Sequence, residues 1–174
     1  MVPGITRLAS DLGDIYVWLA TARFQKPLGE DLINHLRKLV GACGKCLIVV
    51  VPATKVLNHW HMIYPSYLAL RDFLRGTSRF RDLGLGALTY MAGTDQVREA
   101  LGLMSPVGAV DVSILVMGLG NDAPRVINEV GMYVINSAVD VYVGVGAFRR
   151  YDGPWRDVEG FIETLILKYL ESFT

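Results

Sequence analysis

The run Leu47-Ile48-Val49-Val50-Val51, closed by Pro52, does most to limit what this chain can fold into. An apolar run with no polar alternation and a proline at its end reads as a buried strand that other elements must cover. IYVWLATA (15–22) and DVSILVM (111–117) repeat the signal with β-branched and aromatic residues. The longest such run, CLIVVVPA (46–53), is far too short to span a bilayer.

Helical patterns separate these strands. LGEDLINHLRKLVGAC (28–43) puts Leu32, Ile33, Leu36, Leu39 and Val40 on one face, with acids in the first turn. Residues 53–75 also read as helical, with Pro65 predicting a kink or two shorter helices and Gly76 a C-cap. APRVINEVGM (123–132) reads as a short helix, and MYVIN (132–136) and VDVYVGVG (139–146) as further strands. Near the end, Val158, Phe161, Ile162, Leu165, Ile166, Tyr169, Leu170 and Phe173 recur at helical spacing opposite Glu159, Glu163, Lys168 and Glu171. The expectation is one α/β (α+β) domain over 1–174: a small mixed sheet covered by helices, with a C-terminal amphipathic helix. The N-terminus lacks an apolar signal core, so a soluble, cytoplasmic protein is expected.

The formal net charge of zero conceals a division. Residues 23–81 carry ten Lys/Arg against three acids, whereas 82–174 carry six against twelve. Such asymmetry suits a polyanion-binding half joined to an acidic half. Arg71 and Arg75 are i, i+4 on one helix, Arg79 and Arg81 follow Gly76, and Tyr64, Tyr67 and Phe80 lie among them. Guanidinium groups neutralise phosphates and aromatic faces stack unpaired bases, so these residues and Lys55 form a candidate RNA surface. The turn Gly93–Gln96 is expected to join it, with Gly93 ending one helix, Thr94 capping the next and Asp95 in its first turn. Its free amides would then face the anion held beyond Arg79 and Arg81.

Other motifs carry less. CGKC (43–46) follows a helix and precedes a strand, the reverse of a redox CxxC, and no second Cys pair completes a zinc site. It reads as a plain glycine-containing connection. GLGNDA (118–123) fits G-x-G-x-x-A after a strand, which leaves a nucleotide- or small-molecule-binding enzyme using Gly118 and Gly120 as one alternative, beside a scaffold protein without nucleic-acid contact. His59 and His61 point to different faces of a helix, so a shared metal is not expected. No catalytic constellation is legible, and neither a metal nor another cofactor is expected.

The stretch 47–104, from LIVVVPATKV to REALGLM, resembles the small kinase-binding subunit of the KEOPS (EKC) tRNA-modification complex. The features run in order: an apolar strand, a helix with His61 and Ala69-Leu70-Arg71, then Gly76 and a basic connection. Leu88-Thr89-Tyr90 and Val97-Arg98-Glu99-Ala100 follow, and GFIETLILKYLES is similar to the family's last helix. Gly86, Ser105 and Pro65 depart from the family's usual residues. The resemblance implies a non-catalytic accessory subunit that binds the complex's small atypical kinase/ATPase and associates indirectly with the other subunits. It also implies help in holding tRNA, notably its single-stranded 3′ end, for threonylcarbamoyladenosine formation. On this reading Lys55, Arg71, Arg75, Arg79, Arg81, Gly93, Thr94 and Gln96 face tRNA, and Leu167 and Lys168 are candidate partner contacts. Few Gln and Asn residues suggest an archaeal source.

Overall fold

The computed structural model describes residues 1–144. Strands β1 (Thr6–Ser10) and β2 (Gly13–Arg23) form a hairpin, followed by α1 (Glu30–Gly41) and β3 (Cys46–Pro52). A 3-10 turn (Ala53–Lys55) leads into α2 (Trp60–Leu74), α3 (Leu83–Ala92) and α4 (Val97–Met104). Then come β4 (Asp111–Leu119), α5 (Ala123–Ser137) and β5 (Asp140–Val143).

The sheet runs β1-β2-β4-β3, and β5 joins the same side of β2 as β1, further along the strand. Every pairing is antiparallel, not mixed as expected. The reason is topological. The path β2-α1-β3 leaps over β4, and β4-α5-β5 leaps over β2, so strands that run the same way are never neighbours. This is the split β-α-β, ferredoxin-like arrangement. Three helices, α2 to α4, are inserted between its second and third strands, and β1 is added at one side.

Residue parity divides two cores. Trp18, Ala20, Ala22, Ile48, Val50, Val112, Ile114 and Val116 face α1 and α5. Val17, Leu19, Leu47, Val49, Val51, Leu115 and Met117 face α2, α3 and α4. Both faces of the sheet are therefore covered, which is why its strands read as unbroken apolar runs. Each large side chain sealed this way contributes roughly 1.5–3 kcal/mol. Trp18, fully buried, keeps its indole N–H satisfied by donating to the Pro3 carbonyl at 3.0 Å.

Several sequence expectations need correction. MYVIN is not a strand: it lies inside α5, whose buried stripe Val126, Ile127, Val130, Gly131 and Val134 keeps helical spacing. VDVYVGVG supplies only the four-residue β5 among the described residues. Pro65 does not divide the second helical stretch, because one helix runs through it from Trp60 to Leu74. CGKC is closed by a Cys43–Cys46 disulfide. The C-terminal helix expected at 158–173, with Leu167 and Lys168, lies outside the described residues.

Candidate nucleic-acid interface

In the sheet, Tyr16, Gly118 and Cys46 lie side by side, and so do Ala22, Val112 and Pro52. These registers define two ends of the molecule, lower and upper respectively. Helix α1 descends to the lower end, where the disulfide loop carries Lys45, and the Leu119 N–H donates to the Lys45 carbonyl at 3.0 Å. Helix α2 also descends, bringing Arg71 and Arg75 there, with Arg79 and Arg81 on the connection to α3. With Arg37 and Lys38 on α1, seven of the ten cations of residues 23–81 meet at this end. The other three, Arg23, Lys26 and Lys55, lie at the upper end. Most of the basic charge of residues 23–81 is thus gathered at one end.

The lower end is not bare positive charge. Asp11, in the β1–β2 turn, accepts a hydrogen bond from the Tyr67 hydroxyl and another from Arg75 Nη2 at 3.2 Å. The Tyr67 hydrogen bond holds the Asp11 carboxyl below its ordinary range, with Arg75 and Arg71 adding to the effect. Asp72, buried between α2 and α3, accepts from the Tyr90 hydroxyl at 2.5 Å, and Arg71 Nη2 stands 3.7 Å from its other oxygen. Burial, then the bond to Asp72, raises the Tyr90 hydroxyl well above its usual value. Arg71 also lies over the Tyr67 ring, 5.8 Å from its centroid, and its side chain is only 13% exposed.

The four arginines therefore differ. Arg71 is largely a packed side chain, contrary to its expected display to solvent. Arg75 is half exposed and shares Asp11. Arg79 and Arg81 are exposed and form no ion pair among the described residues. Arg81 and Arg37 line one cleft of about 210 Å³ at the β3 edge, with Phe73, Asp82, Gly84 and Gly44.

The Gly93–Gln96 turn lies elsewhere. Helix α3 runs antiparallel to α2, so its end is at the upper end of the molecule. There His61, at the start of α2, reaches the Met91 carbonyl at 3.1 Å. Ten helical residues put this turn roughly 15 Å from Arg79 and Arg81, not beside them. Gly93 ends α3 with φ 64° as expected. Thr94, however, does not cap the next helix directly. Its hydroxyl accepts from the Gln96 N–H at 3.2 Å and donates to Glu99 at 2.6 Å, so α4 starts only at Val97. Thr94 is buried, and the first turn of α4 already holds the Glu99 carboxylate, which disfavours an anion there.

The outer face of α2 joins the two ends. Trp60, Tyr64, Tyr67, Arg71 and Arg75 follow one another at three- and four-residue steps, with Trp60 55% and Tyr64 42% exposed. Fifteen residues make a track about 22 Å long, from the Lys55 and Gly93–Gln96 end to the arginine end. Sequence reasoning missed Trp60 and Asp11. Trp60 was visible as the first member of the stripe, whereas nothing local announces a carboxylate 64 residues from Arg75.

The glycine motif has a packing role. A Cβ on Gly118 would stand 2.5 Å from Cys46 Sγ and 2.8 Å from the Ala123 Cβ, so this glycine makes room for the disulfide inside the core. It has no surface to offer a pyrophosphate. Among the described residues, no three His, Cys, Asp or Glu side chains gather to hold a metal ion, and no helix is long and apolar enough to cross a membrane. No protein-family model matches the chain, and no curated protein shows a significant match to it.

Proposed function

We propose that this chain is a non-catalytic accessory subunit of a KEOPS-type tRNA-modifying assembly, holding single-stranded RNA along α2 while bound to the small kinase/ATPase. The observation that carries the RNA part is the outer face of α2, where two exposed aromatic rings lead into a cluster of arginines. Unpaired bases stack on aromatic faces and phosphates pair with guanidinium groups, a combination that tracks a strand without reading its sequence. The sheet itself takes no part. In ferredoxin-like RNA-binding domains the open sheet face stacks bases, but here that face is sealed beneath α2, α3 and α4. RNA must therefore lie on the helices.

The resemblance over 47–104 supplies the assembly. Exposed Leu101, Leu103 and Val107 on and after α4 give the kinase an apolar surface, beside a cleft of about 530 Å³ between α1 and α4. Co-expression with a KEOPS kinase subunit tests this part. The two should elute as one complex, and Leu101→Asp should separate them. Two independent peaks for the unmodified pair would reject the assignment.

The RNA part is tested with tRNA carrying or lacking its unpaired 3′ nucleotides. The intact tRNA should bind more tightly, and equal binding of both would argue against the α2 track.

A further inference from the structure

The disulfide has a position that the proposed function does not use. Cys43 follows the end of α1 and Cys46 opens β3, so their bond clasps the corner where helix becomes strand. Both cysteines are 6% exposed. Cys46 Sγ fills the notch left by Gly118, against Ala123 at the start of α5. The four-residue loop lies beside Leu119 through the Lys45 carbonyl, and its Gly44 lines the cleft shared by Arg37 and Arg81. The corner therefore ties three elements to one basic cleft.

We propose that Cys43–Cys46 is a reversible redox modification site whose reaction partner is a dithiol, and that its state sets the order of the α1–β3 corner. A dithiol thiolate attacks one sulfur and expels the other cysteine as a thiolate, giving a mixed disulfide. The reductant's second thiol then attacks its own bound sulfur, releasing the second cysteine and leaving the reductant as a cyclic disulfide. Two electrons pass to the protein, and both cysteines take up protons.

The surroundings favour the closed form. A thiolate beside the carboxyl end of α1 meets the negative end of the helix dipole, and a buried thiol resists ionising. In the open form Cys46 Sγ keeps its place in the Gly118 notch while Cys43 is no longer bonded to it, so the loop 42–45 is released to shift outward. That shift moves Gly44 on the wall of the arginine cleft.

The test uses the full chain and needs no RNA, so its outcome is separate from that of the RNA proposal. Free thiols are counted in folded protein before and after dithiothreitol, with no denaturant. The expected counts are zero and two. Hydrogen exchange is then compared for the oxidised protein, the reduced protein and the Cys43→Ser/Cys46→Ser variant. Amides of residues 40–47 and Leu119 should exchange about tenfold faster or more in the last two states, as loss of a short cross-link predicts. The β2 amides should be unchanged. If the double variant fails to fold, the reduced wild type alone decides. Two free thiols in air-oxidised protein, reduction only after unfolding, or identical exchange in both states would overturn the proposal.

Discussion

His61 shows how much of this structure rests on single polar groups placed inside it. Its ring is buried, with Nδ1 accepting from the Leu57 N–H at 3.1 Å and Nε2 against the Met91 carbonyl. An acceptor is needed on one nitrogen and a donor on the other, so the neutral tautomer protonated at Nε2 fits both. Burial lowers its pKa from 6.5 to about 4. A depressed pKa means the unfolded chain takes up the proton first. The associated stability is therefore present above pH 6.5 and is lost as pH falls toward 4, a change of roughly 3 kcal/mol. Urea unfolding at pH 7 and pH 4.5 should show this loss, and His61→Gln should remove most of the difference. A variant with the same pH dependence as wild type would mean that another group is responsible. Gly118 makes a second residue-level case. Gly118→Ala should destabilise by about 2 kcal/mol through overpacking, and the part of that cost owed to Cys46 Sγ should vanish in the Cys43→Ala/Cys46→Ala background while the part owed to the Ala123 Cβ remains. Additive effects in that cycle would contradict the packing role given to Gly118.

At the scale of elements, legibility followed periodicity. β2, β3 and β4 stood out because they are apolar on both faces, and α1 because its buried residues keep one stripe. β1 did not, since Thr6–Ser10 is short, largely exposed and turns only Leu8 and Ser10 inward. MYVIN misled because Val134 and Ile135 favour strands in isolation, while packing of Val126, Val130 and Val134 against the sheet extends α5 through them. The basic stripe was legible on α2, but its partners were not. Asp11 comes from a hairpin remote in sequence, and the reversal of α3 carries Gly93–Gln96 away from Arg79 and Arg81. The α2 track gives a prediction of its own. Trp60→Ala should cost about 1–3 kcal/mol of single-stranded RNA affinity while leaving urea stability nearly unchanged, because the ring is exposed. Fluorescence anisotropy with a short unpaired oligonucleotide measures the first and equilibrium unfolding the second. A stability loss as large as the affinity loss would make Trp60 a packing residue.

Over the described residues, the split β-α-β topology gathers most of the cations of the stretch 23–81 at one end. The paths of α1 and α2 both end beside the start of β3, and so their C-terminal cations share one end. Carboxylates temper that end, with Asp11 and Asp72 engaging Arg75 and Arg71. The exposed share of its charge comes from Arg75, Arg79 and Arg81 together with Arg37, Lys38 and Lys45. Binding of tRNA as a function of salt is the most direct measurement of the central claim. Affinity should fall steeply with rising salt, and Arg75→Glu and Arg79→Glu should each weaken it for all tRNA sequences while making the salt dependence shallower. Affinity that ignores salt, or that survives both charge reversals unchanged, would contradict the account.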